Sequence, residues 1–249
     1  MIKNISKLTK DDIQNIKLIV LDVDGVLVPR GTIIEQDGNE TYYETKRISD
    51  KNINLIKSLY DRGFLINISS GRSLTMLMDM FRDILPYVSL TYENGSATWI
   101  SGKVYQHLNS FEHIYPLYKI LGAIKHKNIK GWEPKEHIIT IHCEDRVKKI
   151  EDIMEPIENM YCIWNKEAYD IGMKEKQTKG NGLKYLMYLN RLASRNVLAI
   201  GDNLNDKELI DVAGVRITAD KTRLDGDFWI DLEGKELPAT ILMKKLLML

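Results

Sequence analysis

Asp22 and Asp24 are the first residues of this 249-residue chain whose type and spacing point to chemistry. They close the stretch Lys17–Leu27, KLIVLDVDGVL, where Leu18 to Leu21 is a short unbroken apolar run. Such a run is the pattern of a strand buried on both faces of a parallel sheet. Two carboxylates one residue apart at the exit of a buried strand are costly unless something pairs them. A hard divalent cation such as Mg²⁺ is a natural partner for clustered oxygens. Gly25 lets the chain turn sharply there and bring backbone N–H groups close to a ligand. Further along come Ser70-Gly71-Arg72, Lys179-Gly180, and Asp202 and Asp206 within Gly201-Asp202-Asn203-Leu204-Asn205-Asp206. Two acidic clusters, a hydroxyl and a lysine form a set suited to phosphoryl chemistry. A metal bridges carboxylates and phosphate, the lysine neutralises one oxygen, and the hydroxyl with backbone N–H groups holds another. Alone, Lys179 reads as a solvated helix start, Ser70 as a strand-end cap, and Asp206 as a helix cap. Arg72 reads equally as a loop brace or a substrate contact.

The elements that position these residues follow a β-α-β-α-β order. After the first strand, Thr32-Ile33-Ile34 and Thr41-Tyr42-Tyr43 flank Asp37-Gly38-Asn39, which predicts a β-hairpin beside the mouth of the site. Ser49 caps a helix with Ile53, Ile56, Leu59 and Tyr60 on one face and Gly63 at its end. Phe64 to Ile68 is a second buried strand, Ser73 to Arg82 a helix, and Val88 to Tyr92 a third strand. This order predicts an α/β doubly wound parallel sheet, in which ligands bind at the C-terminal strand edge. From about Ile100 the pattern changes to alternating strands and two helices, Phe111–His126 and Val147–Asn159, the latter shortened by Pro156. That segment predicts a small α+β module inserted into the core. The parallel-sheet pattern resumes at Lys179 with a helix to Asn190 and a strand at Val197–Ile200. It continues with a helix from Lys207 and a strand at Val215–Ile217, and ends in a helix at Leu237–Leu249. The expected boundaries are a core of residues 1–100 and 175–249 and a cap of residues 101–174.

Hydrophobic residues make up 44% of the chain and charged residues 28%, the balance of a globular protein rather than a disordered one. Lys and Arg together number 35, as do Asp and Glu, so the net charge of zero gives no footprint for nucleic acid or a membrane surface. The first residues carry no apolar leader segment. The two cysteines, Cys143 and Cys162, have no CxxC spacing, so both are expected as buried thiols in a cytoplasmic protein.

The four motifs, in this order, resemble the haloacid dehalogenase superfamily of phosphatases. DVDGVL is similar to its first motif, Ser70-Gly71-Arg72 to its second, Lys179-Gly180 to its third and GDNLND to its fourth. Within the superfamily the chain resembles the Cof-type and sucrose-phosphatase-like branch, whose α/β cap lies between the second and third motifs. Tyr92–Ser96, YENGS, resembles that branch's exit from core to cap. The resemblance implies a Rossmann-like core and a Mg²⁺-dependent phosphohydrolase acting on a small phosphorylated metabolite. It implies Asp22 as the nucleophile that forms an aspartyl-phosphate and Asp24 as the general acid and base. It places Mg²⁺ on Asp22, the Asp24 carbonyl and Asp202, supported by Asp206, and the phosphoryl group on Ser70, Gly71, Lys179 and Asn205. The branch usually carries Thr at the Ser70 position, and Ser69 is a rival for that hydroxyl role. The hairpin resembles that of phosphatases for 3-deoxy-octulosonate phosphate, which points to a sugar or sugar-acid phosphate. Phosphomannomutases share this order of core and cap, so a phosphomutase is an alternative. A non-catalytic phosphoryl receiver is a more distant one, since receivers lack an inserted cap. The five histidines, His107, His113, His126, His137 and His142, fall in the cap region without ligand spacing. The histidines read as surface or packing residues, and Trp132, Glu133 and Trp164 as cap core or surface; substrate contact is the alternative reading for those three and for His142.

Overall fold

The structure is a computed structural model describing residues 2–249. In chain order the strands are β1 (Lys3–Asn4), β2 (Leu18–Asp22), β3 (Ile33–Asp37), β4 (Glu40–Glu44), β5 (Leu65–Ser69), β6 (Ser89–Tyr92), β7 (Ala97–Ile100) and β8 (Lys103–Gln106). They continue with β9 (Ile129–Trp132), β10 (Ile139–Cys143), β11 (Met160–Trp164), β12 (Ala168–Met173), β13 (Val197–Gly201), β14 (Val215–Thr218) and β15 (Phe228–Trp229). The α-helices are α1 (Lys10–Ile13), α2 (Asp50–Asp61), α3 (Leu74–Met80), α4 (Phe111–Gly122), α5 (Lys148–Met154), α6 (Lys179–Asn190), α7 (Lys207–Val212) and α8 (Pro238–Met248).

These elements form two compact units, one of residues 2–30, 46–107 and 178–249, the other of residues 31–45 and 108–177. The first unit is built on a sheet ordered β1-β15-β14-β13-β2-β5-β6-β7-β8. Its pairs are parallel from β1 through β6 and antiparallel at β6/β7 and β7/β8. The central strand β2 is buried at all of its residues. Leu18 and Val20 pack with Leu183, Leu186 and Leu209 from α6 and α7. Ile19 and Leu21 pack with Ile56 and Leu59 of α2 and with Leu242 and Leu246 of α8. Because side chains alternate along a strand, the next residue after Leu21 turns to the α6 side, and that residue is Asp22. The sequence reading of the helices holds locally. Ser49 caps α2 by accepting from the Asn52 N–H, and Gly63 follows the helix at φ +90°.

The second unit has a four-stranded antiparallel sheet ordered β11-β12-β10-β9. Helices α4 and α5 pack on one face, where Ile114, Leu117, Leu121, Ile150 and Met154 meet Ile139, Ile141, Tyr169 and Ile171. Trp132 and Trp164 pack against this apolar cluster, so they serve the core of this unit.

Two expectations about the boundaries differ from the structure. The hairpin β3–β4 forms as predicted, with Asp37 opposite Glu40 across Gly38-Asn39. It groups, however, with the second unit, not with the core. The reason is a close fit: Gly131 of β9 has no side chain, and Ile34 and Gln36 approach within 3.1 and 3.3 Å of where its Cβ would stand. Residues 101–107, expected in the cap, extend the core sheet instead. Ser101 and Gly102, at φ +47° and +87°, turn β7 back into β8. His107 therefore belongs to the first unit, where its Nδ1 lies 2.9 Å from the Gly95 carbonyl.

Candidate active site

The strand order sets Asp22, Ser69 and Thr91 side by side at the C-terminal edge of the sheet, in register across β2, β5 and β6. The next strand, β13, ends at Gly201 and delivers the loop that carries Asp202 and Asp206. That loop is tight. A Cβ on Gly201 would stand 2.5 Å from the Asp206 Cβ, so only glycine lets Asp206 fold back over the strand end. Asp206 Oδ2 accepts the N–H groups of Asp202 and Asn203, each at 3.1 Å.

Lys179 enters from the start of α6. Thr178 caps that helix by accepting from the Asn181 N–H at 3.2 Å, and the cap carbonyl lies against the turn after β6. The match depends on two glycines. A Cβ on Gly95 would sit 2.2 Å from the Thr178 oxygen, and one on Gly182 would sit 2.6 Å from the Gly95 Cα. The turn itself is unusual: Glu93, Asn94 and Gly95 lie at φ +48°, +52° and +83°, conformations that side chains other than glycine adopt at some cost. Its amides hold the second motif in place, Glu93 N–H on the Arg72 carbonyl at 3.1 Å and Asn94 N–H on the Ser70 carbonyl at 3.1 Å.

The Lys179 ammonium donates to Asp22 Oδ1 and Asp206 Oδ1, each at 2.5 Å, with all three residues buried. Burial works against the lysine's charge, but Asp206 and Asp22 beside it outweigh that and hold its proton well above the ordinary lysine range. Asp22 is pushed the other way. Burial first, then the neighbouring charge of Asp206 and of Asp202, raise its proton affinity well above the usual carboxylate range, and Lys179 offsets only part of this. Asp202 is likewise raised by burial, although the Arg30 guanidinium bonded to it pulls down.

Asp22, Asp202 and Asp206 each offer an oxygen within 4.8 Å of the others. All three donors are carboxylates, the set a hard cation takes, and two of them, Asp206 and Asp202, add to the burial that raises the proton affinity of Asp22. The cluster therefore fits a divalent cation of the Mg²⁺ kind. Within it Asp206 also braces the site, since its Oδ1 holds Lys179 and its Oδ2 holds the loop amides.

The remaining predicted residues are Ser70, Gly71, Asp24 and Asn205. Ser70 is buried just past the end of β5, and its Oγ accepts the Arg72 N–H at 3.2 Å, which leaves its O–H to donate. Gly71 follows it, with Asn94 Oδ1 3.0 Å from where its Cβ would stand. Ser69, the rival hydroxyl, is buried in β5 beside Asp22 with its Oγ unpaired. Asn205 is exposed in the Asp202–Asp206 loop. Asp24 is two residues past Asp22 and paired with Arg72. One residue bonded to the cluster has no signal in the sequence. Arg30 lies six residues beyond Asp24, and nothing local marks it as reaching Asp202. Arg72, which reads in sequence equally as a loop brace or a substrate contact, is paired with Asp24.

In the second unit, the sheet face opposite α4 and α5 carries a buried polar network. Glu133 Oε1 lies 3.0 Å from His142 Nε2, and Glu133 Oε2 lies 2.5 Å from Lys135 Nζ. Lys135 also donates to Thr140 Oγ1 at 2.6 Å, and Thr140 donates to Asp170 Oδ1 at 2.5 Å. Burial alone would raise the Glu133 pKa, but Lys135 and His142 outweigh it and lower it to about 2.

Residues 19–130 and 123–221 match the model of the haloacid dehalogenase-like hydrolases, which covers most of the chain. The chain belongs to this family, as a Cof-type member with the α/β core and smaller second unit that the four motifs implied. No curated protein matches it in sequence. Among solved structures it is similar to BT1666 of Bacteroides thetaiotaomicron, from a study of phosphatases of this superfamily, at 18% identity and TM-score 0.69, covering 98% of each chain. A HAD/COF-like hydrolase of Plasmodium vivax is similar at 16% identity and TM-score 0.69, covering 96% of this chain and 98% of that one. A trehalose-6-phosphate phosphatase related protein is similar at 18% identity and TM-score 0.66, covering 93% and 97%. Among the described residues no helix is long and apolar enough to cross a membrane.

Proposed function

We propose that the protein is a Mg²⁺-dependent phosphohydrolase of a small phosphorylated metabolite, a sugar or sugar-acid phosphate, working through an aspartyl-phosphate on Asp22. The observation that carries this reading is the buried contact of Lys179 with Asp22 and Asp206 beside Asp202. It pairs a nucleophilic carboxylate with a fixed cation at the edge of the sheet where ligands of such folds bind. Mg²⁺ would be held by Asp22, the Asp24 carbonyl and Asp202, with Asp206 in support, and when bound it would offset the charge of the phosphoryl oxygens. Lys179, the Ser70 hydroxyl, the Gly71 amide and Asn205 hold those oxygens. The Asp22 carboxylate attacks phosphorus and forms an acyl phosphate as the ester oxygen departs. Asp24 gives that oxygen a proton, then takes one from the water that attacks the acyl phosphate, so phosphate leaves and Asp22 is restored. The second unit, residues 31–45 and 108–177, selects the substrate.

Phosphate release from a panel of phosphorylated metabolites and from p-nitrophenyl phosphate, with Mg²⁺ and in excess chelator, tests this. Release that needs Mg²⁺ is the expected result. Full activity in chelator contradicts the metal assignment. Conversion of a sugar 1-phosphate to its 6-phosphate without net release makes the protein a mutase.

A further inference from the structure

Arg72 closes one turn of the second motif and then turns its side chain back to the first. Its Nε donates to Asp24 Oδ2 at 2.9 Å and its Nη2 to Asp24 Oδ1 at 2.5 Å. Both carboxylate oxygens are therefore gripped by one planar fork, which fixes the position of the group and also the plane of the carboxyl. The grip is itself anchored. The Arg72 side chain is 10% exposed against 32% for Asp24, its N–H is held by Ser70 Oγ, and its carbonyl by the Glu93 N–H in the left-handed turn. Asp24 lies on a tight loop, where Gly25 at φ +87° donates to the Val28 carbonyl at 2.8 Å. The backbone of that loop is set, but the aspartate side chain points into partly open space, and Arg72 is what sets its rotation.

We propose that Arg72 is a positioning residue that acts through Asp24: its guanidinium fixes the plane of the carboxyl and keeps its hold through one oxygen while the other carries the proton exchanged with the ester oxygen. The inference rests on the phosphohydrolase reading and on the acid–base role given to Asp24 there. A positioned acid–base group is worth roughly 10²–10⁴-fold, and a loosened one forfeits part of that. The loss must depend on the leaving group. An alkoxide needs a proton to depart, whereas p-nitrophenolate does not. A residue that gripped the phosphoryl group would matter equally for both esters, and so would one needed only for folding.

The experiment is a rapid-quench measurement of the phosphorylation of Asp22. The esters are glucose 6-phosphate or the best alkyl phosphate of the panel, and p-nitrophenyl phosphate. The proteins are the wild type, Arg72→Gln, Arg72→Lys, Asp24→Asn and the Arg72→Gln/Asp24→Asn double variant, each melted to establish folding. Arg72→Gln is expected to slow the alkyl ester by ~10–100-fold and the aryl ester by less than about 3-fold, part of the acid–base contribution. Arg72→Lys keeps the charge but not the fork, and is expected to fall between Gln and wild type on the alkyl ester alone. It serves if Gln does not fold. In the Asp24→Asn background, removing Arg72 should cost nothing further, because the group it positions is gone. Equal slowing of both esters, or a further loss on top of Asp24→Asn, overturns the inference and makes Arg72 a direct phosphoryl contact or a structural residue. If the wild type is phosphorylated by neither ester, the phosphohydrolase reading itself fails, and this inference with it.

Discussion

Replacing Glu133 by Gln should destabilise the second unit in a way that depends on pH, and the size follows from the structure. Glu133 is 6% exposed and is paired with Lys135 and His142. Burial is the largest influence and raises its pKa, but the two partners prevail and bring it from the ordinary 4.5 to about 2. A depressed carboxylate contributes stability that is present above its unfolded pKa and is lost as pH falls through the folded one. The difference of some 2.5 units is worth about 3 kcal/mol at pH 6, at about 1.4 kcal/mol per unit. By linkage, roughly two-fifths of that should remain at pH 3. Urea unfolding followed by fluorescence of Trp132 and Trp164, both packed on this unit's apolar cluster, reads the effect. Wild type and Glu133→Gln should differ by about 3 kcal/mol at pH 6 and converge by about 2 kcal/mol on going to pH 3. A difference that stays constant over that range would show that Glu133 acts through shape or neutral hydrogen bonds, and that its charge is not what the network holds.

Two further predictions concern the first unit. Lys179→Gln leaves Asp22 and Asp206 facing each other in a buried site, a change that typically costs about 3–5 kcal/mol. The variant should melt well below wild type in chelator and gain more from added Mg²⁺ than wild type does, so equal metal-induced rises in Tm would contradict the charge balance described. Gly95→Ala and Gly102→Ala impose alanine on similar left-handed backbones, at φ +83° and +87°. Only the first drives a Cβ to 2.2 Å from the Thr178 oxygen, and nothing lies within 4 Å of the second. Gly102→Ala should cost about 1 kcal/mol. Gly95→Ala should cost several times more and lower turnover by displacing Lys179, as melting and phosphate-release assays would register.

What the sequence made legible here is what chemistry fixes locally. Asp22 could be placed because an apolar run of Leu18–Leu21 ends there, and its facing toward α6 follows from alternation along the strand. The turn at Asp37-Gly38-Asn39 and the cap at Ser49 are written in two to four residues each. The hairpin's membership was not written locally, because it depends on Gly131, some ninety residues on, leaving room for Ile34 and Gln36. His107 was misplaced for a related reason. Alternating strands in a cap and an antiparallel extension of the core sheet look alike in sequence, and only the pairing of β8 with β7 separates them. The site shows the same division. The carboxylates, the serine and the lysine announce themselves by motif. The pairings of the arginines do not, since Arg30 reaches Asp202 across 172 positions of chain and Arg72 reaches Asp24 across 48.

The central claim, that Asp22 is phosphorylated and Asp24 moves the protons, is tested most directly by trapping the intermediate. Asp24→Asn keeps the nucleophile and the Lys179 contact but loses the base that hydrolysis of the acyl phosphate requires. Given p-nitrophenyl phosphate, whose leaving group needs no proton, this variant should accumulate enzyme carrying one phosphoryl group. Intact-protein mass spectrometry should detect it, on a peptide containing Asp22, and hydroxylamine should remove it. Asp22→Asn should show none. If rapid-quench samples of Asp24→Asn never contain that species while p-nitrophenol is still released, water attacks the phosphoryl group directly, and the roles assigned to Asp22 and Asp24 are wrong.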